Sequence, residues 1–410
     1  MAFDVEAARK RFPALERTME GLPVVFADAP AGTQVPEVVI DAMADYLRRS
    51  NANVGGAFAT SIETDETIWA ARASAADLLG CEPGEVVFGP SMTTLSMALS
   101  RAVARDLGPG DELMVTRLDH DANIAPWLLA AEDSGAAVRW ADLREEDCTL
   151  DLASLERALG PRTRVVAVTL ASNAVGSVSP VEEIVSLVRT RAPGAVLVGD
   201  AVHLAPHRPL DAGPFDVVFC SPYKFFGPHL GIMVAKRDLL ERLRPYKVRP
   251  APDEAPDRWE SGTLSHEALA GLTAAVGYLR GLVDGVGRSG VILAMEAIRE
   301  HEARLSARFL EGIARIPAVR LYGIADPGHV AERTPTFAIR VGEQRPRDTA
   351  ERLGRRGVFV WDGNYYALAV MERLGLEDSG GAVRIGFCHY HTEDEVDRVV
   401  DEVATIAEAP

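Results

Sequence analysis

The sequence predicts an α/β protein: a mostly parallel seven-stranded sheet forms a large domain, and a smaller α+β domain accompanies it. Between about residues 86 and 236, short runs of β-branched residues alternate with longer amphipathic stretches. Alternation of this kind is typical of a parallel sheet that is covered by helices on both faces. The length of 410 residues is sufficient for two or three domains. The predicted strands are 85–89, 112–116, 137–140, 164–170, 195–199, 216–220 and 231–235.

The segments between the strands predict how the strands are connected. Helical patterns cover 93–107 and 180–190. Only residues 221–230 separate the last two strands, which is too short for a crossover helix, so these strands are expected to pair antiparallel or to lie apart. Prolines and acidic residues at 249–258 predict a loop.

The C-terminal third predicts the smaller domain. Its predicted elements are helices at 267–283 and about 290–315, and strands at 336–340, 358–361 and 382–387. The final helix is expected to begin at Thr392, because Thr392 and Glu395 fit a capping box. We place the large domain at 23–275 and the small domain at 1–22 and 276–410.

Composition excludes several classes of partner. The chain has 43 basic and 60 acidic residues, a net charge of −17, which disfavours nucleic acid or an anionic membrane surface as the main partner. No segment approaches the roughly 18 apolar residues that span a bilayer, and the N-terminus lacks a signal peptide's apolar stretch. The 4 cysteines are far apart, as expected of reduced thiols. We therefore expect a soluble, cytoplasmic protein.

Two motifs are better explained by structure than by function. Residues 285–290 spell G-x-G-x-x-G, but a helical pattern precedes them and the parallel region has ended, so a turn between helices is favoured over a dinucleotide site. Cys388, His389 and His391 have no further ligand at metal spacing, so we expect histidines at a strand end and no metal.

Polar residues follow four of the predicted strands, at the point where each strand ends. Ligands bind at the carboxyl ends of strands in open α/β sheets, so these side chains are expected to lie close together. In chain order they include Asp119 and His120, Asn173, Asp200 and His203, and Ser221, Tyr223 and Lys224.

This set of residues fits pyridoxal phosphate (PLP). The cofactor needs a lysine for its covalent link and an anion beside its pyridine nitrogen. Lys224 and Asp200 supply these groups. Asn173 and His203 are predicted to hydrogen-bond the ring oxygen, and His120 to lie over the ring face. The predicted phosphate contacts are Thr93 and Thr94, which open a helix, with Ser221 and Tyr223.

Each of these residues has an ordinary explanation when it is taken alone. Asp200 fits a helix cap equally well, Lys224 a surface lysine, and the two threonines ordinary caps. The combination favours the cofactor, because each residue then has one defined role on a single molecule.

Seven segments resemble the class V aminotransferase family, and within it the cysteine desulfurase-like branch. They are 91–98, 118–127, 171–184, 196–203, 221–233, 259–271 and 382–397, so the resemblance covers nearly the whole chain. It implies a fold-type I PLP enzyme that works as a homodimer on an amino acid substrate. It also implies that Thr263, after Gly262, reaches the neighbouring subunit's cofactor phosphate. Arg384 matches the arginine that holds the substrate carboxylate.

The sequence departs from this branch at one loop. Cysteine desulfurases carry a nucleophilic cysteine in a pattern close to R-x-G-H-H-C-A, whereas residues 361–367 here read WDGNYYA. Tyr366 stands in the cysteine position and Trp361 in the arginine position, so we predict no persulfide formation. Trp361, Asn364, Tyr365 and Tyr366 are predicted substrate contacts, although rings that simply pack the small domain are an equal alternative. Smaller departures are Met92 in the phosphate segment and Tyr223 in place of a histidine.

Several reactions are compatible with these residues. Lys224 is expected to act as general base at the substrate α-carbon, with Asp200 and His120 as its catalytic partners. Elimination from cysteine or a cysteine conjugate, a C–S lyase reaction, is the leading hypothesis, with Tyr365 or Tyr366 as proton donor. Transamination and epimerisation are the alternatives. A non-catalytic PLP-binding scaffold is the alternative from another class.

Overall fold

The computed structural model describes residues 3–408 as thirteen strands and thirteen α-helices. The strands are β1 (Thr18–Met19), β2 (Leu22–Pro23), β3 (Val86–Gly89), β4 (Glu112–Thr116), β5 (Ala137–Ala141), β6 (Thr163–Thr169), β7 (Val196–Asp200), β8 (Val217–Cys220), β9 (Gly231–Ala235), β10 (Val319–Tyr322), β11 (Thr336–Val341), β12 (Trp361–Gly363) and β13 (Ala382–Gly386). The helices are α1 (Val5–Arg9), α2 (Glu37–Arg49), α3 (Ala59–Leu79), α4 (Met92–Ala104), α5 (Ala125–Ser134), α6 (Leu152–Ala158), α7 (Val181–Arg191), α8 (Arg237–Arg242), α9 (His266–Arg280), α10 (Gly287–Ile313), α11 (Pro346–Arg355), α12 (Leu368–Arg373) and α13 (Glu393–Glu408).

The larger sheet has seven strands in the order β3-β9-β8-β7-β6-β4-β5. Strands β4 to β8 pair in parallel, and β9 runs antiparallel to both of its neighbours. The predicted α/β fold class is therefore confirmed, including the antiparallel pairing of the last two predicted strands. The parallel pairing brings the carboxyl ends of β4, β6, β7 and β8 to one edge, where the predicted polar residues follow.

Both faces of this sheet are buried. Alternate residues of β6 point to opposite sides, so Val166 and Val168 join one hydrophobic cluster and Val165 and Ala167 join the other. Two-sided burial explains why its strands read as continuous apolar runs rather than alternating patterns. It also leaves the strand ends as the places where this sheet presents polar side chains.

The smaller sheet has the antiparallel order β10-β11-β13-β12. The prediction of a strand at 358–361 is wrong. The observed strand, β12, begins only at Trp361, and Val358 makes a single isolated bridge, to Val25. Strand β10 was not predicted, because its short sequence VRLY carries an exposed arginine and lacks a continuous apolar signal. The limits of the two domains stay a prediction.

Local predictions at the ends of the late helices agree with the structure. The backbone N–H of Glu395 donates to Thr392 Oγ1 over 3.2 Å, and the N–H of Thr392 donates to Glu395 Oε2 over 3.0 Å, which completes the capping box. Residues 285–290 span the end of the turn between α9 and α10 and the first residues of α10, and a Cβ on Gly285 would lie 2.4 Å from the Cα of Gly290. These glycines therefore serve close backbone packing. No helix among residues 3–408 is both long and apolar enough to cross a membrane.

The histidines near the C-terminus are held inside the protein just beyond β13. His389 Nε2 lies 2.6 Å from the hydroxyl of Tyr278, and His391 Nε2 lies 3.1 Å from the carbonyl of Phe26. Both imidazoles are buried, and these contacts give each of them a structural role.

Candidate active site

Two adjoining cavities lie at the carboxyl edge of the large sheet. The inner cavity has a volume of about 80 Å³ and the outer one about 520 Å³. They share His120, Asn173, Tyr223 and Lys224. Of these two cavities, the inner one alone is lined by Ser91, Met92, Thr93, Ala122, Thr169, Ala171, Asp200, Val202, His203 and Ser221. The structure thus brings together residues from all four strand ends, although Asp119 lines neither cavity.

Lys224 and Asp200 occupy the ends of neighbouring parallel strands. Asp200 is the last residue of β7, and Lys224 lies in a short 3-10 turn after β8. Burial and the nearby Arg384 lower the pKa of Lys224 to about 7, against the opposing effect of Asp200. Burial raises the pKa of Asp200 to about 6, against a hydrogen bond of 2.9 Å from the N–H of Val202 and the charge of Lys224. The Lys224 ammonium group also donates to the carbonyl of Pro30.

His120 is a neutral imidazole at the boundary of the two cavities. Burial, with the charges of Lys224 and Arg384, lowers its pKa to about 4. Its Nδ1 accepts a hydrogen bond of 3.0 Å from the N–H of Ala122, which assigns the proton of the neutral ring to Nε2. The ring of Tyr366 stacks on it, with the centroids 5.7 Å apart and an interplanar angle of 24°. A cofactor ring would therefore take the other face of His120.

Asn173 and His203, the two predicted partners of a ring oxygen, are both buried. The Asn173 amide nitrogen donates to the carbonyl of Tyr365 over 2.9 Å, while its Oδ1 has no partner among residues 3–408. His203 Nε2 lies 3.0 Å from Thr336 Oγ1 and 3.3 Å from Thr334 Oγ1. A contact from His203 to a ligand must therefore use Nδ1. Burial holds the pKa of His203 well below its usual value, so this ring is neutral.

Of the predicted phosphate residues, Thr93 and Thr94 lie at the start of α4, whereas Ser221 and Tyr223 follow β8. Ser91 caps this helix, since its Oγ accepts a hydrogen bond of 3.1 Å from the N–H of Thr94. Thr93 lines the inner cavity and also a third cavity of about 610 Å³, where Thr94 and Thr263 lie. Thr263 thus shares a cavity with the two threonines of its own chain. The sequence analysis missed Ser91, although its position before two threonines at a helix start was a usable signal.

Arg384 lies on β13 and lines the outer cavity, with a side chain that is only 4% exposed. Its Nη1 donates to the carbonyl of Asn173 over 2.9 Å, and its guanidinium lies 4.4 Å from the centre of the Tyr365 ring. Its Nε has no partner among residues 3–408. Burial lowers its pKa to about 10, against the effects of Tyr365 and Asp28, so it stays charged at neutral pH. This geometry leaves a fixed cation that can bind a carboxylate.

The other predicted substrate residues, Trp361, Asn364, Tyr365 and Tyr366, also line the outer cavity. Tyr365 and Tyr366 have φ angles of 54° and 57°, in the left-handed region that non-glycine residues seldom adopt. Asn364 supports this backbone, since its Oδ1 accepts a hydrogen bond of 3.1 Å from the N–H of Tyr366. The buried Tyr365 hydroxyl donates to the carbonyl of Ala382, whereas Tyr366 is 74% exposed.

Six further residues that were not predicted from the sequence also line the outer cavity: Ala31, Asp362, Gly363, Glu377, Gly380 and Gly381. A Cβ on Gly381 would lie 2.0 Å from the carbonyl oxygen of Gly363, so the two chain segments meet only because residue 381 is glycine. The neighbouring glycines were a usable signal for close approach. No local pattern distinguishes Glu377 from its exposed acidic neighbours.

The four cysteines lie outside both cavities in the part of the chain that the structure describes. Burial raises the pKa of Cys81 to about 12 and that of Cys148 to about 11. Burial also raises the pKa values of Cys220 and Cys388. These groups are therefore neutral thiols, which are poor nucleophiles.

Comparison with known sequences identifies one family. The family model described as "Aminotransferase class-V" matches residues 25–399. A cysteine desulfurase from Pectobacterium atrosepticum is 31% identical over 418 residues, covering 98% of this chain and 97% of the relative. A probable cysteine desulfurase from Mycobacterium leprae is 33% identical over 419 residues, covering 97% and 95%.

Comparison with solved structures supports the same fold. A cysteine desulfurase from Thermococcus onnurineus superposes with a TM-score of 0.88 at 24% identity, and the match covers 100% of both chains. A cysteine desulfurase from Escherichia coli gives a TM-score of 0.84 at 24% identity, covering 99% of this chain and 98% of the other. At this level of identity the similarity establishes the fold.

The shifted pKa of Lys224 predicts unusual reactivity in the cofactor-free protein. Its amine becomes neutral, and hence nucleophilic, as the pH rises through about 7, so acylation of Lys224 should have its midpoint there. Arg384→Met should move this midpoint upward, because it removes a neighbouring cation. Peptide mass spectrometry after brief labelling at a series of pH values measures both. A midpoint above pH 9 in the wild-type protein would contradict the electrostatic account.

Proposed function

We propose that this chain, which belongs to the class-V aminotransferase family and is a PLP-dependent enzyme, eliminates the sulfur substituent of L-cysteine or a cysteine conjugate without forming a protein persulfide. One observation carries the proposal: the outer cavity holds Tyr366 and none of the four cysteines of the described chain. A persulfide carrier must be a thiolate within reach of the substrate. Burial instead holds all four thiols in their neutral form.

The residues of the inner cavity fit the cofactor. Lys224 would hold it covalently, Asp200 would pair with its pyridine nitrogen, and His120 would cover one ring face. His203 Nδ1 is available to donate to the ring oxygen, whereas the unpartnered Asn173 Oδ1 can only accept, from a protonated ring hydroxyl. When bound, PLP withdraws electrons from the substrate α-carbon. The phosphate would lie among Ser91, Thr93, Thr94, Ser221 and Tyr223.

Arg384 would orient the substrate. Its Nη1 is fixed by the Asn173 carbonyl and its Nε is unpartnered, so one edge of the guanidinium is available for a carboxylate. Stacking on the Tyr365 ring restricts the plane of the guanidinium. A carboxylate held there would leave the amino group toward Lys224, which lines the same cavity.

Two residues would move protons in the reaction. With a pKa of about 7, a large fraction of Lys224 is a neutral amine near neutral pH, and this amine would take the α-proton. The Tyr365 hydroxyl already donates to the Ala382 carbonyl, so we assign protonation of the departing sulfur to Tyr366. Its exposed ring lies against His120, at the junction of the two cavities.

We further propose a homodimer. Large apolar side chains are exposed on α2 and α3, among them Val38, Leu47, Ile62 and Trp69, of which Trp69 is 61% exposed. Trp69 and Thr263 line the same surface cavity of about 820 Å³. A second copy covering this face would bury the apolar side chains and bring Thr263 beside the neighbouring site.

The same experiments also test three alternative functions. Transamination and epimerisation would use the same lysine, aspartate and arginine, and they differ only in the fate of the substrate after proton loss. A non-catalytic scaffold would not need Lys224, Asp200, His120 and Arg384 around one pair of cavities. The four free thiols support our further proposal of a cytoplasmic location.

Product analysis tests the reaction. We expect the PLP-loaded enzyme to convert S-alkyl-L-cysteines to pyruvate, ammonia and the free thiol. Tyr366→Phe should lower kcat by about 10²-fold because the proton donor is lost. Tyr322→Phe, on β10 outside both cavities, is the matched control and should retain activity. A keto acid formed with stoichiometric amination of the cofactor would instead indicate transamination. With L-cysteine as substrate, alanine together with a persulfide would indicate desulfuration.

Substitution on the exposed apolar face tests the dimer. We expect a dimeric wild-type protein in sedimentation experiments, and Trp69→Glu should shift it toward monomer because it buries a charge in the interface. Leu129→Glu places the same charge on α5, where the leucine is 48% exposed, and should leave the dimer intact. A monomeric wild-type protein, or a dimer that tolerates Trp69→Glu, would refute this interface.

A further inference from the structure

The outer cavity has two ends of opposite character. Lys224 and Arg384, both at most 9% exposed, form its inner end. Asp362, Asn364 and Glu377 contribute polar acceptors to its wall. The aromatic side chains toward solvent are Trp361, 51% exposed, and Tyr366, 74% exposed. The inner end of the cavity therefore carries two basic side chains, and the rest of its lining includes two carboxylates and two exposed aromatic rings.

Glu377 carries an unsatisfied acceptor in this wall. Its Oε1 accepts a hydrogen bond of 3.0 Å from the amide nitrogen of Asn364, while its Oε2 is buried and has no partner among residues 3–408. Asp362 differs, because Arg347 lies 3.3 Å from its Oδ1. A buried carboxylate oxygen without a donor is costly, and a donor brought by a ligand would relieve that cost.

The inner end already accounts for the common part of an amino acid. Arg384 takes the carboxylate and Lys224 faces the α-carbon in the function proposed above. The side chain is therefore the part of the substrate that can reach Glu377. A volume of about 520 Å³ exceeds what cysteine requires and leaves room for a longer side chain. The faces of Trp361 and Tyr366 suit a cation in the same region.

We propose that Glu377 determines substrate specificity, and that the preferred substrate is an L-amino acid whose side chain ends in a positively charged hydrogen-bond donor. This inference rests on the proposed function and names its substrate class: a cysteine conjugate with a basic end. Because Arg384 and Glu377 bind opposite ends of such a molecule, the distance between them selects length as well as charge.

A purely structural role for Glu377 gives a different expectation. Glu377 supports Asn364, and Asn364 in turn supports the left-handed backbone at Tyr366. Glu377→Gln keeps an oxygen acceptor for Asn364, removes the negative charge, and replaces the second acceptor oxygen by an NH2 donor. If Glu377 served only as a support, this substitution would change all substrates alike. If it recognises a cation, the substitution would reduce binding of basic substrates alone.

Matched substrate pairs test the inference. S-(2-aminoethyl)-L-cysteine and S-propyl-L-cysteine differ by an ammonium in place of a methyl group, and L-lysine and L-2-aminoheptanoic acid differ in the same way. Affinity is measured from the change in cofactor absorbance on binding, and turnover from pyruvate release. The wild-type enzyme should prefer the basic member of each pair by about tenfold or more. Glu377→Gln should abolish most of this preference, and Asp378→Asn, an exposed neighbour, should keep it.

The outcomes separate this inference from the proposed reaction. The role of Glu377 is overturned if the wild-type enzyme binds the basic member of each pair no more tightly than the apolar member. It is also overturned if Glu377→Gln leaves the preference for the basic member unchanged. Basic ligands that bind preferentially without releasing pyruvate support the recognition site and refute elimination. Unchanged melting temperature and cofactor content in Glu377→Gln show that the loop is intact.

Discussion

The rest of the site depends on the electrostatic interaction of the buried Lys224 amine with two nearby groups, the guanidinium of Arg384 and the carboxylate of Asp200. Burial and the arginine favour its neutral form, and the aspartate favours its charged form, which leaves its pKa at about 7. The parallel pairing of β7 with β8 makes this arrangement possible, because it brings the ends of two neighbouring strands together. The small sheet contributes the arginine through β13. The outer cavity is therefore lined by residues from both sheets or the segments that follow their strands.

The loop between β12 and α12 is the part of the site whose sequence departs from the cysteine desulfurase pattern. Two consecutive tyrosines in left-handed conformations are held by Asn364 and by the bond from the Tyr365 hydroxyl to Ala382. One ring supports Arg384 and the other stacks on His120. We propose that this loop replaces a nucleophilic thiol with a phenol, which redirects a common cofactor chemistry from sulfur transfer toward elimination.

Sequence alone predicted the large sheet and most of the polar residues that line the inner cavity, because both depend on short-range patterns. Apolar runs define the strands, and the polar residues that end them necessarily meet at one edge. The missed features depend on distant contacts. The 358–360 segment is apolar but pairs only through Val358 with Val25, more than 300 residues away. Likewise, Thr336 reaches His203 and Glu377 reaches Asn364 only after the small sheet has folded.

The most direct test of the account is the position of the covalent cofactor link. The PLP-loaded protein would be reduced with borohydride, digested, and analysed by peptide mass spectrometry. We expect a pyridoxyl phosphate adduct on Lys224 of the wild-type protein. Lys224→Ala should still bind the cofactor but should lack this adduct. An adduct confined to another lysine, or no adduct at saturating PLP, would contradict the assignment of this cavity as the cofactor site.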